Sequence, residues 1–197
     1  MKPIKLFVGV SVIAAVLSSC MPKENTYRKP YVDFDSLITA QLNTITNGEV
    51  VLLKKTRLNS YEDSTAVKPD SLQLKNELQA FRLMDDINKP VHKGMYEVKT
   101  EEDANSNLLV RTYTTHQPTS IIFVKLFFKH DIKELKRIES SWIEKNVMIH
   151  TRRDLMLEFD DHNGVPRLVH YAVAGEQKVV LSKPVSTTIE GWLKYPA

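Results

Sequence analysis

The sequence predicts an α+β domain: two N-terminal helices packed on a twisted antiparallel β-meander of about eight to ten strands, counted from strand-length apolar runs bounded by turn residues. Three observations predict it. Apolar residues recur at spacings of three and four around Phe34–Ile45 and again around Leu74–Ile87, each giving one helical stripe. From Met95 onward the pattern changes to short runs rich in β-branched and aromatic residues with short connections. Asn163-Gly164 stands between two of these runs, where it suits a tight hairpin turn.

The elements follow in chain order. Lys2 and Lys5 precede a twelve-residue apolar run, Leu6–Leu17, which ends in Leu17-Ser18-Ser19-Cys20. A spanning helix needs about 20 apolar residues, so this run reads as a secretory signal peptide rather than a permanent span. Its end resembles the lipobox of bacterial lipoproteins, with small residues for the peptidase and Cys20 as the lipidation site. Residues 1–19 are then a signal peptide, 20–31 the lipidated cysteine and a polar tether, and 32–197 a single α+β domain. Several acyl chains on one residue anchor a protein without a transmembrane helix. Cys20 is the sole cysteine, which excludes a disulfide framework and a cysteine zinc site.

Asp33 or Asp35 caps a helix over 35–46, and Asn47-Gly48 ends it with Gly48 in the left-handed region. Glu49–Leu58 reads as a strand, in which Lys54, Lys55 and Arg57 are either a basic patch for anionic lipid or a solvated strand end. Asn59–Pro69 reads as a polar loop. Asp70 and Gln73 form a capping box for a second helix carrying Leu74, Leu78, Phe81, Met84 and Ile87, stopped at Pro90. Candidate strands then cover 95–101, 108–115, 120–129, 134–143, 146–152, 154–160, 167–174, 177–183 and 186–194. Turns are expected at 103–107, at Asn163-Gly164 and at Gly175-Glu176. Ile132, Leu135, Ile138, Trp142 and Ile143 also fit one helical face, so 132–143 reads either way by periodicity.

Composition narrows the function. Hydrophobic residues make up 42% and charged residues 26%, as in a folded soluble domain. The balance of 27 Lys+Arg against 24 Asp+Glu lacks the basic field of a nucleic-acid partner. Glycine-rich phosphate loops, GxSxG and HExxH are absent from the sequence, and no two histidines lie four apart. Asp160-Asp161-His162-Asn163 has the donors of a cation site, but it precedes Gly164 in a hairpin where such residues serve the turn. His150 and His170 are candidates for an acid–base pair on neighbouring strands, or for strand histidines satisfied by their neighbours. Trp142, Trp192, Tyr113 and Tyr171 are either a stacking platform or cross-strand packing. No metal and no cofactor is expected.

Ile121–Phe128 (IIFVKLFF) is apolar on both faces and so needs cover on both sides. Alternation puts Ile122, Val124 and Leu126 under the helices and Phe123 and Phe127 on the opposite face, with Lys125 reaching outward. That opposite face is covered by curvature of the sheet onto itself, by a protein partner or by an apolar ligand, and Phe123 and Phe127 are the candidate residues for the last two.

The lipobox, Phe34-Asp35, Asp86-Ile87-Asn88-Lys89-Pro90, Asn146-Val147, Leu155-Met156-Leu157 and Tyr171–Lys178 together resemble uncharacterised lipoproteins of Bacteroidota over most of the mature chain. Met148 stands where that resemblance leads one to expect an aromatic residue. The resemblance carries no catalytic residues; it favours strand over 134–143. In outline the expected meander is similar to the open half-barrels that carry lipids and lipoproteins, an analogy of fold alone. The expected protein is lipid-anchored in the bacterial envelope, at the outer membrane. It is foremost a non-enzymatic binding module for an apolar or lipidic ligand, with an interaction or scaffold subunit of an envelope complex as the alternative and an enzyme as the third class.

Overall fold

The computed structural model describes residues 27–129, 132 and 134–196. Cys20, the signal segment, the first part of the tether and His130 lie outside the described residues. Among these, nine strands form one antiparallel sheet: β1 (Val51–Leu58), β2 (Tyr61–Val67), β3 (Glu97–Glu102), β4 (Leu109–Thr114), β5 (Ile121–Phe128), β6 (Leu135–Lys145), β7 (Ile149–His162), β8 (Val165–Val179) and β9 (Val185–Lys194). Their spatial order is β2-β1-β9-β8-β7-β6-β5-β4-β3. A seven-strand meander from β3 to β9 thus receives the β1–β2 hairpin along its last strand. β2 and β3 are free edges, so the sheet is open. No helix among the described residues is long and apolar enough to cross a membrane.

Regular helix is scarce, and the expected pair of N-terminal helices is not matched as drawn. α1 (Phe34–Thr46) follows Asp33, whose carboxylate accepts from the Ser36 N–H. It ends at Asn47 with helical backbone, and Gly48 is not in the left-handed region. α2 spans only Ser71–Leu78, opened by the Asp70–Gln73 capping box. The chain then tightens into 3₁₀ geometry over Gln79–Asn88. The apolar spacing shows why. Leu74 to Leu78 is four residues, whereas Leu78, Phe81, Met84 and Ile87 are three apart, the period of a 3₁₀ helix.

This helical layer crosses one face of the sheet, carrying the chain from edge strand β2 to edge strand β3. Phe34, Ile38, Ile45, Leu74, Leu78, Phe81, Met84 and Ile87 are fully buried in one cluster with Val124, Leu126, Ile138, Leu155, Leu157 and Tyr171 from the sheet. Burial of this apolar surface, at about 25 cal/mol per Å², is the main stabilising term. Gln41 fixes α1 to β8: its side-chain amide donates to the Pro166 carbonyl at 2.9 Å and accepts from the Leu168 N–H at 2.8 Å. These groups lie beside the register shift between Glu158 and Phe159, where the β7–β8 ladder does not satisfy every donor.

Four strand expectations change. Residues 59–69 are not a loop: a two-residue turn at Asn59 (φ 53°) leads into β2, exposed along its whole length. With no buried face, β2 has no apolar alternation to read; it is held by its ladder to β1 and by Lys55 and Arg57 pairing with Glu62. The two strands expected over 146–160 are one, β7. Gly175-Glu176 is not a turn but lies inside β8, which runs unbroken to Val179. In β5 a bulge between Ile121 and Phe123 inverts the alternation: Ile121 is buried in the core and Ile122 is exposed, the reverse of the expected placement. Residues 135–145 are strand. Asn163 and Gly164 both have positive φ, 55° and 79°, as a tight hairpin demands.

Lys29 and Tyr31, expected in the tether, are docked. The Tyr31 ring packs edge-on against Tyr96 and Tyr113. Lys29 Nζ lies 2.7 Å from Asp33, 3.3 Å from Asp35 and 2.7 Å from Asp85.

Candidate functional site

The helical layer covers only part of its face. Past α2, toward the sheet end formed by the start of β7, the end of β8 and the start of β9, the face is bare. There lies a cleft of about 400 Å³. Register explains its floor. Arg153, Gly175 and Thr187 are cross-strand neighbours on β7, β8 and β9, and Val173 and Ile189 form the next rung. Val173, Ile189, Val185 and the bare backbone of Gly175 make an apolar base, with Ala80 from the helical side. Lys54, Asn76, Glu77, Thr151 and Arg153 make a polar rim. A mostly apolar concavity with a few placed polar groups is the usual form of a small-molecule site.

Small residues create the hollow. A Cβ at Gly175 would meet only ordinary contacts, the nearest being backbone oxygens at 3.8 Å, so the glycine leaves room rather than relieving a clash. Gly191 is different. A Cβ there would fall 2.2 Å from Tyr171 Cζ, so this glycine lets the Tyr171 ring lie flat on β9.

Glu77 is the hinge between cleft and core. One carboxylate oxygen accepts from Lys54 Nζ on β1, and the other accepts from the Tyr171 hydroxyl at 2.9 Å. Burial, with the Glu77 charge beside it, pushes the Tyr171 hydroxyl well above the usual tyrosine range. Both oxygens of Glu77 are thus engaged, and the carboxylate ties α2 to β1 and β8. Across the cleft, the Arg153 guanidinium lies 5.2 Å from the centre of the Trp142 ring.

Phe123 and Phe127 belong to neither the cleft nor the core beneath the helices. Both face the opposite side of the sheet. Phe127 is buried there under the Arg137 guanidinium, 4.3 Å from its ring centre, and Phe123 is half-buried beside Lys125. The hollow at Phe127 is walled by Glu97, Lys99, Glu101 and Asp103, a charged lining unlike an apolar pocket.

The other candidates separate. His150 stands opposite Lys178, and His170 opposite Trp192 and Glu158, so the two histidines do not meet. His170 stacks on Trp192 with centroids 4.9 Å apart, and its Nδ1 lies 3.0 Å from Glu158. Tyr171, Tyr113 and Trp142 are buried, while Trp192 is on the outer face, so they form no common platform. Asp161 accepts from the Gly164 N–H, and Asp160 pairs with Lys136, as turn and surface residues do. The carboxylates of Asp33, Asp35 and Asp85 do converge, but the Lys29 ammonium fills their centre, and its hydrogen bond, with that of the Ser36 N–H, holds the Asp33 pKa down at about 2. Lys54 points inward to Glu77 while Lys55 and Arg57 pair outward with Glu62, which splits the expected basic patch between two faces.

The cleft itself was not legible by motif search. Its signal is negative: on the inward positions of β7 to β9, large residues at one end (Leu155, Leu157, Tyr171, Leu193) give way to Thr151, Gly175 and Thr187 at the other. No family model, curated protein or solved structure matches the chain.

Proposed function

We propose that the chain is a lipid-anchored binding module of the bacterial envelope whose amphipathic cleft takes an apolar or lipidic ligand. The observation that carries this reading is the bare half of the helix-covered face, an open hollow of about 400 Å³ with Val173, Ile189 and Val185 at its base. Exposed apolar concavities are uncommon without an occupant. The open order of nine strands, with a helical layer on one face, fits the half-barrel outline in which the sheet curves around that layer. The Leu17-Ser18-Ser19-Cys20 pattern supports lipidation at Cys20 and, with it, attachment to the outer membrane. The candidate ligand face moves from Phe123 and Phe127 to the cleft.

Edge pairing with a partner chain is disfavoured by charge. β2 carries Glu62 and Asp63, and β3 carries Glu97, Lys99, Glu101 and Glu102, the usual protection of free edges. Lipid extraction and mass spectrometry of the chain purified from membranes test the reading. A stoichiometric amphiphile that is lost from Gly175→Leu supports it; the same lipids bound to wild type and variant alike oppose it. Fatty-acid labelling of wild type and Cys20→Ser tests the anchor, which requires that the label disappear from the variant.

A further inference from the structure

Two turns at the cleft end of the sheet present an apolar surface that the binding reading does not use. The β6–β7 turn carries Val147 and Met148, exposed to 91% and 60%. The β8–β9 turn carries Val180 and Leu181, exposed to 49% and 103%. The turns form one unit, because the Val180 N–H donates to the Met148 carbonyl at 3.0 Å. Each is internally tied: Asn146 Oδ1 accepts from the N–H groups of Met148 and Ile149, and Ser182 N–H donates to the Val179 carbonyl. Leu181 has φ 64°, a conformation that favours glycine or asparagine. A fully exposed leucine at such a position serves neither the turn nor the core.

Charge and chain position indicate the occupant. Lys183 is the sole ionisable residue within the two turns, and Lys145 and Lys178 flank them. The nearest carboxylates in sequence, Glu144 and Glu176, lie one position beyond Lys145 and two beyond Lys178, further from the tips, and Arg152 is paired with Asp154. An apolar tip ringed by lysines is the pattern of a segment that dips into a bilayer, with ammonium groups at headgroup level. The described chain also enters at this end of the sheet. Tyr31 packs on Tyr96, which immediately precedes β3, and the antiparallel register places the start of β3 at the same end as the starts of β5, β7 and β9.

We propose that the Val147-Met148 and Val180-Leu181 turns insert into the membrane leaflet that holds the Cys20 lipid, and so set the cleft mouth against the bilayer. The proposal rests on the lipid anchor but not on any ligand in the cleft. The seven-residue step from Cys20 to Tyr27 reaches about 25 Å when extended, short enough to keep this end of the sheet at the membrane.

The test uses the full lipidated chain on vesicles of phosphatidylethanolamine and phosphatidylglycerol containing doxyl-labelled phosphatidylcholine. Lipidation caps Cys20, so Ser182→Cys and Asn105→Cys each offer one thiol for an environment-sensitive fluorophore, at the tip and at the opposite end of the sheet. The expected result is blue-shifted emission at 182, quenched by doxyl lipid several-fold more than at 105, with the difference lost when Val147→Asp and Leu181→Asp are added. Equal quenching at both positions overturns the proposal, as does quenching that survives the aspartates. Shielding at 182 without lipid quenching overturns it in favour of a protein cover. A chain that does not float with the vesicles overturns it through its anchor, an outcome distinct from a floating chain with an unquenched tip.

Discussion

One face of this sheet has two halves with opposite characters. Under α1 and the 3₁₀ segment, the inward residues are Val124, Leu126, Ile138, Leu155, Leu157 and Tyr171, all packed to near-zero exposure. Beyond α2, β7, β8 and β9 present Thr151, Gly175, Thr187 and half-buried Val173 and Ile189 around a hollow. Topology is identical across the two halves, and strand length supplies both: β7 and β8, at 14 and 15 residues, outrun the layer that covers them. The lesson is that side-chain size along a strand, not a change of fold, separates the packed core from the open hollow here.

The largest expected effect lies in the covered half. Phe81→Ala removes a fully buried ring that meets Tyr171 edge-on at 5.9 Å, and should destabilise the domain by about 3–5 kcal/mol in denaturant titration. A loss as small as that of a surface change would mean that the two halves are equally loose. Gly191→Ala comes next. Its Cβ has no room beside the Tyr171 ring, and overpacking of this kind costs about 1–3 kcal/mol; an unchanged melting temperature would remove the claim that Tyr171 lies flat on β9.

Smaller again is the acid response of the Lys29 cluster. Asp33 is held near 2 in the folded chain, against an unfolded value of 3.8. A depressed carboxyl stabilises the fold fully above the unfolded value and loses that contribution as pH falls from 3.8 toward 2. Asp33 is 42% exposed, so solvent screening keeps the contribution below about 1 kcal/mol. Lys29→Met should remove the larger part of this acid-dependent component and leave the part due to the Ser36 hydrogen bonds, visible as a shallower fall of melting temperature between pH 4 and pH 2. The smallest effect is Gly175→Ala, which meets only ordinary contacts and should leave stability within about 0.5 kcal/mol of wild type.

Much of the covered half could be read in advance, because burial writes a period into sequence. The stripe from Phe34 to Ile45, the capping box at Asp70 and the Asn163-Gly164 turn all mark real elements. The 3₁₀ segment was present in the three-residue spacing of Leu78, Phe81, Met84 and Ile87, which a four-and-three helical template absorbs without notice. β2 left no trace, since a strand exposed on both faces needs no alternation. The β5 bulge was illegible for another reason: IIFVKLFF is apolar at every position but one, so a shift of one residue changes no pattern. The cleft was illegible because a hollow is made by what is missing. Gly175 looks like a turn residue until the strands on both sides are seen to continue past it.

The central claim is that ligand binding belongs to the uncovered half of the helix-bearing face and not to the Phe123–Phe127 face. Titration with the apolar fluorophore N-phenylnaphthylamine tests it most directly, using wild type, Gly175→Leu in the cleft floor and Phe123→Ser on the opposite face. The account predicts saturable enhancement in wild type, an unchanged curve for Phe123→Ser, and loss of binding in Gly175→Leu at unchanged melting temperature. Binding that persists in Gly175→Leu and fails in Phe123→Ser would contradict it.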